Sequence, residues 1–238
     1  MVLVVVASRL DQFARELVAR WTPHGAALLT CTDLCLKGWR YYLDSVEDAA
    51  IVIDQHIMTA KNITGVLTRL PSVFEHELVE IVSADRTYVA AEMTAFLLSW
   101  LSALKCPVLN RPTSTCLSGP YWRQEQWISA AARIGIPVRP FHRSTRLSVD
   151  AAAEGSTPDT ITLTVVGQQC LGTTNRTLVS QALRLAEAAH VDLLEVCFGD
   201  PETEAYFLCA NPWPDFTNVK VEESILAYLQ AGKRTSEI

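Results

Sequence analysis

The run Val2-Leu-Val-Val-Val-Ala7 sets six apolar residues side by side, and no other feature of the chain narrows its fold as much. A strand with one wet face alternates. A continuous apolar run belongs instead to a strand covered on both faces, the usual situation in a parallel sheet flanked by helices. The following residues agree with that. Leu10, Phe13, Leu17 and Val18 recur at helical spacing, residues 26–30 and 50–53 are further apolar runs, the latter ending in Asp54, and residues 65–68 are a short strand. Strands interleaved with helices predict an α/β layer with a parallel sheet.

The strongest helical signal lies next. It opens near Ser83 and Asp85, and Val89, Met93, Phe96, Leu97, Trp100, Leu101 and Leu104 keep a 3.6 period. Residues 95–104 are so apolar that the helix is expected to be well buried. A short strand at 107–110, a turn-rich stretch at 111–120 and a helix at 124–134 follow. That helix carries Trp127, Ile128 and Ala131 on one face, and Gly135 and Pro137 stop it. Residues 144–159 are polar and small, a linker or long loop.

Beyond the linker the pattern changes. Residues 160–166 alternate and are rich in β-branched side chains, Gly167-Gln168 is a turn, and Cys170-Leu-Gly172 returns, which makes a hairpin. A helix carries Leu178, Ala182, Leu185 and Ala189. Residues 192–198 and 205–210 read as paired strands about an acidic turn at 199–203, and residues 221–229 as a closing helix. The second half is therefore expected to be a smaller α+β lobe with an antiparallel sheet.

The 238 residues suffice for a buried core, and 49% hydrophobic against 19% charged residues describes a globular chain. The net charge of -6 argues against nucleic acid as a partner, since a duplex-binding surface is basic. No apolar stretch approaches the roughly 18 residues of a membrane span, so no membrane partner is expected. The start has no basic segment ahead of its short apolar run, unlike a signal peptide. Seven cysteines, an odd number, are then simplest as reduced thiols in the cytoplasm. On that reading the glycosylation sequons at Asn62 and Asn175 carry no meaning.

The chemistry-bearing residues are scattered. Cys31 and Cys35 stand one helical turn apart, but zinc needs two further ligands and none follows at ligand spacing, so two structural cysteines are the simpler account. Asp54 and His56 follow a strand end, the side of an α/β sheet on which ligands bind, and are candidate ligand contacts, or else they cap and hydrogen-bond a loop. Neither a Gly-x-Ser-x-Gly elbow nor a phosphate-binding glycine loop is present; Ala7-Ser-Arg-Leu stands after the first strand instead. In the stretch Ala-Tyr-Phe-Leu-Cys-Ala-Asn211-Pro-Trp-Pro-Asp-Phe, Asn211 offers a hard oxygen at a strand end, or else it caps the turn made by the two prolines.

Three stretches together resemble the ATP-grasp superfamily, closest to its ribosomal-protein-modifying and peptide-modifying glutamate-ligase branch. They are Val108-Leu-Asn-Arg-Pro112 leading through a helix to Gly135-Ile-Pro-Val138; the valine-rich strand and turn at 163–172; and the helix at 178–189 with Val191-Asp192, residues 196–198 and residues 207–215. The resemblance implies a carboxylate–amine ligase using ATP and Mg²⁺. It also implies a preliminary α/β domain over 1–112, a linking helix and strand over 113–143, the loop at 144–159, and a remnant C-terminal lobe over 160–238.

The departures from that pattern point the other way. The interval 139–159 stands where the family has its nucleotide lobe with a phosphate-contacting lysine, yet it is too short for such a lobe and contains no lysine. The family's basic residue at the linking helix is matched only by Arg123. Its two metal carboxylates fall on Cys197 and Cys209, and Asn211 alone is retained. Thiols are soft and Mg²⁺ wants hard, charged oxygens. If Cys197 and Cys209 sit on neighbouring strands they face one another, as drifted apolar positions or as a soft-metal or redox pair.

The resemblance and its departures together imply a pseudo-ligase without cofactor, binding a partner ATP-grasp ligase or a peptide or amino-acid substrate. Such a chain is expected in a homo- or hetero-oligomer, because the surface the lobe once covered needs a cover. The alternative is an active ligase completed by a partner chain, with Arg111, Arg123 and Asn211 as the remaining contacts to phosphate and metal.

Overall fold

The structure, a computed structural model, describes residues 1–42, 45–139, 160–199 and 205–231. The linker expected at 144–159 and most of the acidic turn expected at 199–203 lie outside those residues. Two compact units divide the chain: Met1–Tyr121 joined by the segment from Asp215 onward, and Trp122–Pro214.

The first unit is built on the apolar run. Strand β1 (Val2–Val6) is buried from Leu3 onward and lies inside a parallel sheet. Helix α1 (Gln12–Trp21) follows; Asp11 caps it by accepting from the Ala14 N–H, and Ala14, Leu17 and Trp21 form its buried stripe. Strand β2 (Ala26–Leu29) pairs with β1 on one side, with Val5 opposite Leu28. A single turn, α2 (Cys31–Leu34), starts where Thr30 donates its backbone N–H and hydroxyl to Asp33.

Strands β3 (Ala50–Ile53) and β4 (His56–Thr59) form a separate two-stranded antiparallel ribbon. Asp54 therefore does not end a strand of the parallel sheet. Asp54 and Gln55 both adopt positive φ, 49° and 64°, and two left-handed residues in a row reverse the chain into a tight hairpin. Strand β5 (Ile63–Thr68), buried throughout, pairs in parallel with the other side of β1.

Helix α3 (Arg86–Ala103) buries only Ala90, Leu97, Trp100 and Leu101. It is less buried than its hydropathy suggests: Tyr88, Ala91, Glu92, Ala95 and Ser99 form an exposed outer face, and the core covers the helix on one side only. Strand β6 (Val108–Leu109) completes the order β2-β1-β5-β6.

The second unit begins with α4 (Gln124–Arg133), which stops at Gly135, φ 75°, as the sequence predicts. Strand β7 (Thr160–Val166) turns at Gly167, φ 58°, into β8 (Gln169–Leu171), the expected hairpin. Helix α5 (Arg176–Ala189) is capped by Asn175, whose Oδ1 accepts from the Thr177 and Leu178 N–H groups. Strands β9 (Leu193–Gly199) and β10 (Tyr206–Asn211) close an antiparallel sheet of order β10-β9-β7-β8. Leu163, Val165, Leu194, Val196, Phe198 and Phe207 turn one sheet face to Trp127 and Ala131 of α4 and Leu178, Ala182 and Leu185 of α5.

Helix α6 (Val219–Gln230) buries Val221, Ile225 and Leu229. It packs against β5 and belongs to the first unit. The α/β class with one parallel and one antiparallel sheet is the architecture read from the sequence.

Candidate functional site

The face of the antiparallel sheet turned away from α4 and α5 carries the polar residues of its strands. Strand periodicity sends alternate side chains there, and the register sets them in rows. Thr162, Cys197 and Cys209 lie directly across from one another on β7, β9 and β10. In the next row Thr164, Glu195 and Asn211 are opposed in the same way. A bulge between Phe207 and Cys209 lets β10 keep this pattern while Phe207 stays in the core.

The two sulfurs interact. The Cys209 thiol donates to Cys197, which stabilises the Cys197 thiolate and lowers its pKa to about 7; burial and Glu195 act in the opposite sense, and the Thr162 hydroxyl, 4.0 Å from the Cys197 sulfur, adds a weaker donor. The same bond, reinforced by burial, raises Cys209. Both thiols are half-buried and free. Asn211 has a local role: its Oδ1 accepts from the Trp213 N–H at 3.0 Å, an Asx turn that carries the chain through Pro212 and Pro214.

Glu195 is the residue that sequence reasoning missed. It is the sole carboxylate on the four strands of this sheet, which contain no lysine or arginine. A single acidic residue inside an apolar strand is a weak signal without the register that sets it opposite Asn211. This donor set does not suit Mg²⁺, which needs hard oxygens and about two negative charges to offset its dehydration. Among the described residues no group of three or more His, Cys, Asp or Glu is placed to hold a metal.

The other residues singled out by the sequence do not join this face. Arg123 precedes α4 in the same unit, exposed, and its backbone N–H donates to Gln126 Oε1 at 2.9 Å. Its neighbour Gln124 ties α4 to β10 through the Leu208 carbonyl. Arg111 belongs to the first unit, where its guanidinium donates to the Leu101, Leu104 and Cys106 carbonyls and so closes the C-terminal end of α3. Asp54 and His56 form the exposed tip of the β3–β4 hairpin, with His56 Nδ1 2.6 Å from the Asp54 carbonyl. The Cys35 thiol donates to the Cys31 carbonyl at 3.5 Å, the behaviour of structural cysteines.

A second polar cluster, unsuspected from sequence, sits in the first unit. The Ser8 hydroxyl, just past β1, donates to Glu77, which is only 2% exposed and whose Oε2 has no hydrogen-bond partner among the described residues. A shallow cavity of about 670 Å³ follows α5 past Arg176, Ser180, Arg184 and Glu187, on the helix side of the antiparallel sheet.

No protein-family model matches the sequence, and no curated protein matches it. Known structures do match the fold. The macrocyclase MdnC of Microcystis aeruginosa MRC, bound with its precursor peptide MdnA, superposes with a TM-score of 0.67 at 12% identity, over 96% of this chain and 99% of that one. The Chryseobacterium gregarium RiPP-associated ATP-grasp ligase, in complex with ADP and a leader and core peptide, gives 0.63 at 12% over 96% of each chain. The ATP-grasp ligase PsnB with minimal precursor, Mg and ADP gives 0.65 at 13% over 98% of each. The fold is thus ATP-grasp-like, as the sequence resemblance implied. Among the described residues no helix is long and apolar enough to cross a membrane.

Proposed function

We propose that this chain is a non-catalytic protein of ATP-grasp fold that binds a peptide, or a ligase that acts on one, in the cytoplasm. The observation that carries the reading is the row Thr162–Cys197–Cys209: two soft sulfurs opposed on neighbouring strands, at the positions where the sequence resemblance puts the ligases' metal carboxylates. Around them stand one carboxylate, Glu195, and an amide, Asn211, already engaged by its own turn. The four strands themselves supply no lysine or arginine to a triphosphate. Peptide binding is supported by structures of the same fold, MdnC and PsnB among them, that were solved with precursor peptides. The short interval at 139–159 agrees with a reduced nucleotide lobe.

Titration calorimetry with ATP and Mg²⁺ tests the proposal. The isolated chain is expected to give no heat of binding in the micromolar range; a micromolar dissociation constant would overturn the reading. The same reading holds the chain in a homo- or hetero-oligomer, alone or with a ligase. Light scattering of the purified chain with a candidate ligase is expected to show a mass above 26.3 kDa.

A further inference from the structure

We infer that Cys197 and Cys209 form a reversible dithiol site, whose substrate is a low-molecular-weight disulfide and whose product is an intramolecular cross-strand disulfide. The inference does not depend on whether the chain binds ATP or a peptide.

Geometry carries it. Cys197 and Cys209 are direct Cα partners in the antiparallel β9–β10 ladder. Directly opposed residues of such a ladder are about 4.5 Å or 5.5 Å apart at Cα, according to whether the pair exchanges backbone hydrogen bonds. Both spacings fall inside the roughly 4.4–6.8 Å that a disulfide spans. Their side chains leave the sheet on the same face, so no backbone reversal is needed to join them. The bulge between Phe207 and Cys209 loosens the ladder where β10 has to give. Both residues are half-buried, hence reachable by a small reagent, whereas Cys31 and Cys116 are buried.

The remaining cysteines have no such partner in the ladders. Cys170 is opposed by Val165, and Cys31 and Cys35 lie along one short helix turn with Cys35 bonded to the Cys31 carbonyl. The site is therefore specific to one pair.

The chemistry balances without an outside redox partner beyond the disulfide itself. One cysteine thiolate attacks a sulfur of RSSR, forming a mixed disulfide and releasing RS⁻, which takes up the proton that the cysteine gave up. The second thiolate attacks the protein sulfur of that mixed disulfide, closing the Cys197–Cys209 bond and expelling the second RS⁻, protonated in turn. In sum the protein dithiol and RSSR give the protein disulfide and two RSH; the dithiol is oxidised and RSSR reduced. In a reducing cytoplasm such a bond is transient, a property of sensing and exchange sites rather than of structural ones.

The test uses the full chain equilibrated with glutathione disulfide and then acid-quenched. Intact mass is expected to fall by two hydrogens with no retained adduct, and non-reducing peptide mapping to join the Cys197 and Cys209 peptides. Cys197→Ser and Cys209→Ser are each expected to halt at a stable glutathione adduct on the surviving cysteine. Reduced glutathione should restore the original mass. Wild-type protein that stays unmodified, that keeps the adduct without closing, or whose disulfide maps to other cysteines would overturn the inference. Because the mapping is done on wild-type chain, misfolding of either variant would not blur the answer.

Discussion

Trp21 donates its indole N–H to Glu222 Oε1 at 2.9 Å, joining α1 to α6 across 201 residues of sequence. The indole is buried, and the same carboxylate receives the half-exposed Arg20 guanidinium at 3.1 Å. Removing the acceptor strands a buried donor, at a cost of about 1–3 kcal/mol, while an exposed ion pair contributes at most about 1 kcal/mol. Glu222→Ala is accordingly expected to lower the stability from urea unfolding by about 1–3 kcal/mol, and Arg20→Ala by about 1 kcal/mol or less. Equal losses would mean that the ion pair, not the indole, anchors α6.

Gly65 makes the same docking possible from the sheet side. A Cβ there would stand 2.5 Å from the Leu229 carbonyl oxygen and 2.8 Å from the Leu229 Cβ. Neither neighbour is the flexible end of a side chain, so α6 must move. Gly65→Ala is expected to cost about 1–3 kcal/mol, in the range of overpacked cores, and to expose α6 to limited proteolysis. A variant as stable and protease-resistant as the parent would show that α6 is not seated on β5.

The cysteines should react in an order set by their surroundings. Burial pushes Cys31 up to about 12 and Cys106 and Cys170 to about 11, whereas the bond from Cys209 brings Cys197 down to about 7. The thiolate is the reactive form, and it is lost as pH falls through the pKa. At pH 7.5 iodoacetamide is expected to label Cys197 first, with a rate that falls about tenfold per unit well below pH 7. In Cys209→Ser a hydroxyl replaces the thiol donor. A midpoint for Cys197 left near 9 in the wild-type chain would show that the Cys209 hydrogen bond is not made.

Asn211→Ala should act on stability alone. It deletes the oxygen that receives the Trp213 N–H, so a loss of about 0.5–1.5 kcal/mol is expected on denaturant unfolding. Since the residue serves a turn, ATP hydrolysis by the chain should be the same, and negligible, with or without it. Hydrolysis present in the parent and abolished by Asn211→Ala would favour a working ligase site.

Much of the fold was legible because it is written at short range. The run at β1, the Gly167 turn of the β7–β8 hairpin, Gly135 after α4 and the stripe on α5 are each set by a handful of adjacent residues. The β3–β4 ribbon was not, since an apolar run of four residues reads the same in a parallel sheet as in a hairpin. What separates the two is the left-handed pair Asp54–Gln55, a weak signal next to the Asn-Gly and Asp-Gly turns that usually make it. Glu77 was invisible for a related reason: its partner Ser8 is 69 residues away.

The candidate site divides along the same line. By itself the sequence put sulfur at positions 197 and 209, an amide at 211 and no cation on the strands around them, and residue chemistry of that kind needs no coordinates. Only the tertiary structure decided that Cys197 opposes Cys209, that Glu195 opposes Asn211, and that α6 returns to β5. Ladder register depends on the bulge after Phe207 and on which faces α4 and α5 cover, and helix docking depends on the space Gly65 leaves. These are energies of packing between distant segments, and local preference carries almost no information about them.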